Sequence, residues 1–258
     1  IYSILGVIKL LYIIICILGY FLGVLANELI EQEIKGEGIS LPHSQLLKGL
    51  ISGGIEPINR SFLRWKWLYV ADLRKTAISG IVVEFSVIIT SLLIYIKYGI
   101  TGQSFAVFIF IYGLIIISVI DFYTMLIPNH LNLILGGISI LFTILGWSVS
   151  FGQALLGAFL GGGILLGIRV LSLLIIKKEG MGIGDIKLAF ICGLYLGPYK
   201  ILLGLLISVY ISGFLLLLLI WLGKIKKNQY IPYGPFLGGG FIISLVFYEN
   251  IMKLFWWL

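Results

Sequence analysis

Long apolar runs limit what this chain can fold into. Seven of them contain 17 to 23 residues, about the length that an α-helix needs to cross the hydrocarbon core of a bilayer. An eighth run of 11 residues is too short to cross alone. We interpret it as a broken or partly inserted helix, which a membrane tolerates where protein or water satisfies the backbone. The eight predicted segments are residues 10–26, 77–96, 104–120, 131–147, 154–176, 186–196, 201–222 and 234–252.

The composition supports this interpretation. The chain has 258 residues, of which 60% are hydrophobic and 11% are charged, whereas a soluble domain carries roughly 25% charged residues. We therefore predict an all-α polytopic membrane protein surrounded by lipid. The net charge of +7 fits basic loops on one side of a membrane, so we predict no nucleic-acid partner.

Cysteine and histidine do not suggest a metal site. Cys16 and Cys192 both lie inside apolar runs and form no CxxC pair. His43 and His130 are far apart in sequence, without ligand spacing around either. The sequence therefore predicts neither a metal nor a disulfide framework.

The distribution of polar residues divides the chain into three parts. Residues 1–26 contain the first membrane helix, residues 27–76 form a polar loop domain, and residues 77–258 form a membrane core. If the segments alternate, the three loops on one side carry seven, three and three basic residues, and the other side carries four. Because basic loops stay in the cytoplasm, the polar loop domain is predicted to be cytoplasmic.

Two aspartates meet the membrane at the same predicted depth. Asp121 ends the third segment and Asp185 precedes the sixth, so both fall at the predicted cytoplasmic face; the third aspartate, Asp72, lies in the polar loop. A carboxylate beside hydrocarbon is costly and suggests a function. Two carboxylates that share a proton can activate water, as in aspartic proteases. The pair would titrate as a unit, so neither residue is assigned as acid or base.

Glycine and proline accompany the two aspartates. Gly182 and Gly184 precede Asp185 and would allow a close approach of substrate or of a neighbouring helix. Pro128 follows Asp121 and can begin the fourth helix at its first position. These residues are also compatible with ordinary loop and helix-packing roles.

Residues 180–188, GMGIGDIKL, resemble the GMGxGDxKL motif of the type IV prepilin peptidases, a family of GxGD membrane aspartic proteases. Asp121 with Ile127 and Pro128 resembles the first aspartate block of that family. Residues 231–236, IPYGPF, resemble its entry to the last helix, and residues 19–22 loosely match the end of its first. The matches follow the family order through nearly the whole chain.

The resemblance implies a multi-pass endopeptidase of the bacterial cytoplasmic membrane. Asp121 and Asp185 would be catalytic, and Gly182, Gly184, Pro128 and Lys187 would shape the site. The substrate would be the helix of a prepilin or pseudopilin, which loses a basic leader at the cytoplasmic face without any cofactor.

Many family members also methylate the new N-terminus with S-adenosylmethionine, using the loop after the first helix. Residues 27–76 lack the two CxxC pairs usual there, and Gly23 and Glu28 occupy positions that the family commonly fills with asparagine and arginine. The resemblance therefore implies S-adenosylmethionine only if methylation is retained.

Glu84 matches a glutamate in the second helix of the family. As an acid in an apolar segment it suggests a supporting role, although a buried ion pair with Arg169 or a loop cation explains it equally well. An alternative from another class is a proton-coupled transporter that uses Asp121, Asp185, Glu84 and Arg169 as a relay. Solute or proton flux without peptidase activity would favour that alternative.

Overall fold

The computed structural model describes residues 2–34, 74–175, 177, 180–223 and 231–256. These residues form seven helices and no strand. Six helices are long and apolar enough to cross a membrane, and α4 is a shorter apolar helix. The prediction of an all-α polytopic membrane protein is confirmed. The helices are α1 (Tyr2–Ile34), α2 (Arg74–Tyr98), α3 (Gly102–Thr124), α4 (Asn129–Ile144), α5 (Phe151–Ile175), α6 (Ile183–Trp221) and α7 (Gly234–Trp256).

The chain divides into two compact units, residues 1–92 and 93–258. In the first unit α1 packs closely on α2 at Gly23. A Cβ at this position would lie only 2.8 Å from the Cα of Glu84, so the absence of a side chain permits the approach. Helix α1 continues to Ile34, beyond the apolar run that was predicted to end at residue 26. Five of the eight residues in this extension are glutamate, glutamine or leucine, which all favour helix. The rest of the predicted loop domain, residues 35–73, lies outside the described residues.

In the second unit the most consequential feature is a break in α6. Gly197 has φ 74° and ψ 179°, and Pro198 follows it, so neither residue can continue the helix. We call the two halves α6a (183–196) and α6b (198–221). They correspond to the predicted segments 186–196 and 201–222, which confirms the interpretation of a short, broken helix.

The two halves of α6 fold back on one another. A Cβ placed on Gly161 of α5 would lie 2.5 Å from the carbonyl oxygen of Ala189 and 2.9 Å from the side chain of Ile201. Twelve residues of straight helix would separate these positions by about 18 Å. Therefore α6a and α6b form a hairpin, with Gly197 at its apex and Asp185 near its opposite end.

Glycines hold the hairpin tightly against its neighbour. A Cβ on Gly193 of α6a would lie 2.1 Å from the carbonyl oxygen of Gly157 in α5, closer than any real contact. Helices in membranes associate through such small-residue faces because lipid provides no hydrophobic drive between them. This packing fixes the position of α6a and of the aspartate at its start.

Candidate active site

Asp121 lies in the last turn of α3 and is only 4% exposed. Its backbone carbonyl accepts a hydrogen bond from the N–H of Met125 at 2.8 Å, and Met125 ends the helix in a left-handed conformation with φ 54°. The carboxylate is therefore held where the membrane helix ends, as its position in the sequence predicted.

The start of α7 supplies a partner for Asp121. The backbone N–H of Gly234 donates to Oδ2 of Asp121 at 2.8 Å. The first N–H groups of a helix lack partners within the helix and favour negative charge. A Cβ on Gly234 would lie 2.6 Å from the same oxygen, so a glycine is required here. Gly234 lies within the motif of residues 231–236 but was not predicted to be a site residue.

Asp185 is the third residue of α6, which begins after Gly182 as N-cap. Its half-buried carboxylate accepts a hydrogen bond from the backbone of Gly182, which is one half of a capping box. A Cβ on Gly182 would lie 2.8 Å from Oδ2 of Asp185. The other oxygen, Oδ1, is buried without a hydrogen-bond partner among the described residues.

Gly184 and Lys187 join the two aspartate segments. A Cβ on Gly184 would lie 3.0 Å from the Cβ of Ile127, so the loop after Asp121 packs directly on the start of α6. Lys187 is exposed and its Nζ donates to Oδ1 of Asn129 at 2.8 Å. Pro128 is the N-cap of α4, one residue before the first helical position that the sequence analysis gave it.

The two carboxylates lie close enough for the negative charge of Asp121 to act on Asp185. Both belong to the second unit, although 64 residues separate them in sequence. Two like charges in a poorly solvated site favour a state in which the pair holds one proton. That the pair shares a proton and is catalytic stays a prediction.

Tyr233 is a second residue of this end that the sequence analysis did not assign. Burial raises the pKa of Tyr233 to about 12, and the negative charge of Asp185 acts in the same direction, while a hydrogen bond with Ser212 opposes them. The phenol is therefore protonated at neutral pH and can donate a hydrogen bond. Tyr233 lies within the motif of residues 231–236, but no role was predicted for it.

Asn132, one turn into α4, also carries unused hydrogen-bonding groups. It is 2% exposed, and neither its amide nitrogen nor its amide oxygen has a hydrogen-bond partner within the described part of the chain. Because an unpaired buried amide is costly, this side chain is a candidate contact for water in the core.

Glu84 and Arg169, the two other acids or cations that were predicted to have a role, make different contacts. Glu84 belongs to the first unit, where its Oε1 accepts a hydrogen bond from Nδ2 of Asn27 at 3.2 Å. Arg169 of α5 donates from Nη1 to the carbonyl oxygen of Met181 and so fixes the stretch that leads into α6. The described residues contain no group of three or more histidine, cysteine or acidic side chains that could hold a metal ion.

Two carboxylates lie at one end of this helical membrane core. Because acidic groups are costly in a membrane, such a pair is typical of membrane proteins with a catalytic or proton-handling site. Comparison with known proteins narrows this class. Residues 108–218, which include Asp121 and Asp185, match the type IV leader peptidase family. The resemblance found in the motifs is thereby confirmed over this range.

Relatives with the same description support the match. The chain is 35% identical over 145 residues to a prepilin leader peptidase/N-methyltransferase of Aeromonas hydrophila, covering 56% of this chain and 49% of that protein. A protein so named from Pseudomonas aeruginosa is 30% identical, over 61% of this chain and 54% of its own length. For the one from Bacillus subtilis the identity is 29%, over 62% of both chains. The chain thus spans about half to three fifths of the length of these relatives. No solved structure matches the chain.

Proposed function

We propose that this protein is a membrane aspartic endopeptidase that removes the basic leader from type IV prepilins or pseudopilins. The observation that carries the proposal is that Asp121 and Asp185, two carboxylates from different helices, lie close enough for the charge of one to act on the other. The packing of Gly184 on Ile127 holds their segments together. The match of residues 108–218 to the leader peptidase family and the names of the relatives support the same activity.

Two carboxylates that share one proton can hydrolyse a peptide bond without a cofactor. The unprotonated carboxylate accepts a proton from water while the water oxygen bonds to the carbonyl carbon, and the protonated carboxyl donates to the carbonyl oxygen. When the C–N bond breaks, a proton passes to the leaving amine. The unpartnered Oδ1 of Asp185 is available to water, and the Gly234 N–H keeps Oδ2 of Asp121 in place.

The location of the substrate follows from charge. A leader rich in lysine and arginine stays on the cytoplasmic side of the bacterial inner membrane, as basic loops do. The apolar helix that follows the leader lies in lipid, so the scissile bond is at the interface. Asp121 and Asp185, at the cytoplasmic ends of α3 and α6a, would lie at the same interface as the scissile bond.

Methylation of the new N-terminus is a second proposed activity, which rests on the N-methyltransferase in the names of the relatives. S-adenosylmethionine would supply the methyl group. The loop predicted to serve this reaction is residues 27–76, of which 35–73 lie outside the described part of the chain, so no residue is assigned to it.

Mass spectrometry of a prepilin co-expressed with the protein tests both activities. The wild type should remove the leader, and an added methyl group on the mature N-terminus would demonstrate methylation. Asp121→Asn and Asp185→Asn should each lower the cleavage rate by about 10²- to 10⁴-fold, because each substitution removes one of the two groups that transfer protons.

Glu249→Gln is the matched control, since Glu249 is an exposed acid on the last helix, far from the aspartates. It should cleave normally. Cleavage by either aspartate variant at the wild-type rate would show that this pair does not perform the chemistry.

A further inference from the structure

A second polar cluster lies at the opposite end of the core from the aspartates. Two adjoining cavities, of about 30 Å³ and 180 Å³, share Val149 and Lys200 in their walls. The smaller one is also lined by Gln103 of α3, which is 18 residues before Asp121. At 1.5 Å per residue this separates the cluster from the aspartate site by about 27 Å.

Tyr195 has an unused hydroxyl beside the smaller cavity. Its ring is 3% exposed and stacks on Phe110 with the centroids 4.0 Å apart, so the side chain is firmly placed. The hydroxyl is buried without a hydrogen-bond partner among the described residues. Buried tyrosine hydroxyls usually have a partner, so this one is suited to bind a ligand.

Lys200 stands at the junction of the two cavities, two residues after Pro198. Its backbone carbonyl accepts a hydrogen bond from Ser244 at 2.6 Å, which fixes the main chain. Its half-buried ammonium group makes no hydrogen bond within the described part of the chain. Lys97 and Glu249 both act on it through their charges, and Lys97 donates its own hydrogen bond to the carbonyl oxygen of Val246 at 2.7 Å.

The larger cavity has several times the space that one water molecule needs. An ammonium group, a phenolic hydroxyl and neighbouring amides form a donor set suited to an oxyanion. The surrounding Trp147, Tyr199 and Tyr248 are residues typical of the interface between hydrocarbon and headgroups, which is where the phosphate of a phospholipid lies.

We propose that these cavities form a binding site for a phosphate group, supplied by the headgroup of a phospholipid and held by Lys200 and the hydroxyl of Tyr195. The phosphate would lie where the two cavities meet at Lys200, within reach of Tyr195 in the smaller one. The rest of the headgroup would extend into the larger cavity, and the acyl chains would follow the apolar helix surface. Because Lys200 is beside the apex of the α6 hairpin, the bound lipid would stabilise the hairpin.

Thermal unfolding of the full chain in a neutral maltoside detergent tests the proposal. Three probes are compared: short-chain phosphatidylglycerol, diacylglycerol with the same acyl chains, and inorganic phosphate. We expect saturable stabilisation by phosphatidylglycerol and none by diacylglycerol. Saturation by inorganic phosphate with the same dependence on Lys200 would support the site and assign it to free phosphate rather than lipid.

Substitutions of lysine test whether the stabilisation by phosphatidylglycerol arises at this site. Lys200→Gln should weaken the response to phosphatidylglycerol about tenfold, since hydrogen bonds to charged groups are the strong ones, and Lys200→Arg should keep most of it. The control is Lys253→Gln, an exposed cation in the last turn of α7, which should respond like the wild type.

Tyr195→Phe provides a second, independent variant. Because its hydroxyl has no hydrogen-bond partner among the residues that the structure describes, this change should leave the lipid-free stability unaltered and weaken phosphatidylglycerol binding about fivefold. Equal stabilisation of the wild type and both variants, or equal stabilisation by diacylglycerol, would overturn the proposal.

Discussion

The two ends of the membrane core hold buried polar groups in different ways. At the aspartate end, backbone N–H groups of Gly234 and Gly182 bind the carboxylates. At the other end, a lysine and a tyrosine that are distant from the motifs line a cavity, and their polar atoms have no protein acceptor in the described part of the chain. The first arrangement holds its own side chains in place, whereas the second is open to a ligand from outside.

This difference follows from the requirements of each end. Two carboxylates need fixed donors if their separation is to remain constant, and a backbone amide at a helix start provides one without a mobile side chain. A site for a headgroup needs space and a free cation. The aspartate end therefore needs glycine, which lets a backbone N–H reach the carboxylate. At the other end the binding groups are the side chains of Lys200 and Tyr195.

The largest effect is expected from Gly193→Ala, which acts on both ends through the hairpin. Its Cβ would lie 2.1 Å from the carbonyl oxygen of Gly157, and forcing the helices apart should destabilise the protein by about 1–3 kcal/mol or more. Thermal unfolding should show a lowered midpoint, with loss of both cleavage and lipid response.

Gly137→Ala is the control for this prediction, since a Cβ at Gly137 meets nothing within 4 Å. Alanine favours helix over glycine by up to about 1 kcal/mol, so this variant should be as stable as the wild type or more so. A Gly193→Ala protein with an unchanged midpoint would contradict the close packing of α5 and α6a.

A more selective effect is expected from Gly234→Ala, which should damage only the aspartate end. The new Cβ would lie 2.6 Å from Oδ2 of Asp121 and displace the carboxylate from its N–H donor. A shift of about 1 Å in a catalytic group can lower the rate about 10²-fold, while the unfolding midpoint should change little.

Gly239→Ala, on the same helix and with nothing within 4 Å of its Cβ, is the matched control and should cleave normally. If both glycine variants lowered the rate equally, the contact between Gly234 and Asp121 would not be the cause.

The smallest effect is expected from Tyr233→Phe, which removes one hydrogen-bond donor beside Asp185. Cleavage should fall about fivefold, in line with the loss of one hydrogen bond, and the fold should be retained. Tyr210→Phe, which alters a tyrosine that is 75% exposed, should have no effect in the same cleavage assay. If Tyr233→Phe cleaved at the wild-type rate, the Tyr233 hydroxyl would have no role in cleavage.

The fold class and the aspartate pair were predictable because their signals are local. A long apolar run needs only its own length to indicate a membrane helix, and the alternation of segments placed Asp121 and Asp185 at one depth. The short segment of residues 186–196 was also predictable, since its apolar run is too short to cross a bilayer alone. That the helix breaks at Gly197 and Pro198 was not predicted.

The contacts between distant segments were not predictable. Gly234 was visible only as part of a motif, and its hydrogen bond with Asp121 depends on how α3 and α7 pack. Tyr233 was likewise visible only as part of that motif. Asn132 and the cluster of Lys200 and Tyr195 carried no sequence signal, because each is an ordinary residue until another helix is placed beside it.

The sequence by itself determined that this chain is a helical membrane protein with two aspartates at a common depth. Hydrophobic length and charge are properties of each segment alone, and they persist in any packing. Only the tertiary structure decided which backbone donors reach those aspartates and where a lysine and a tyrosine meet at the other end. Those contacts depend on separations of a few ångströms between helices, which the close approach of glycine faces sets.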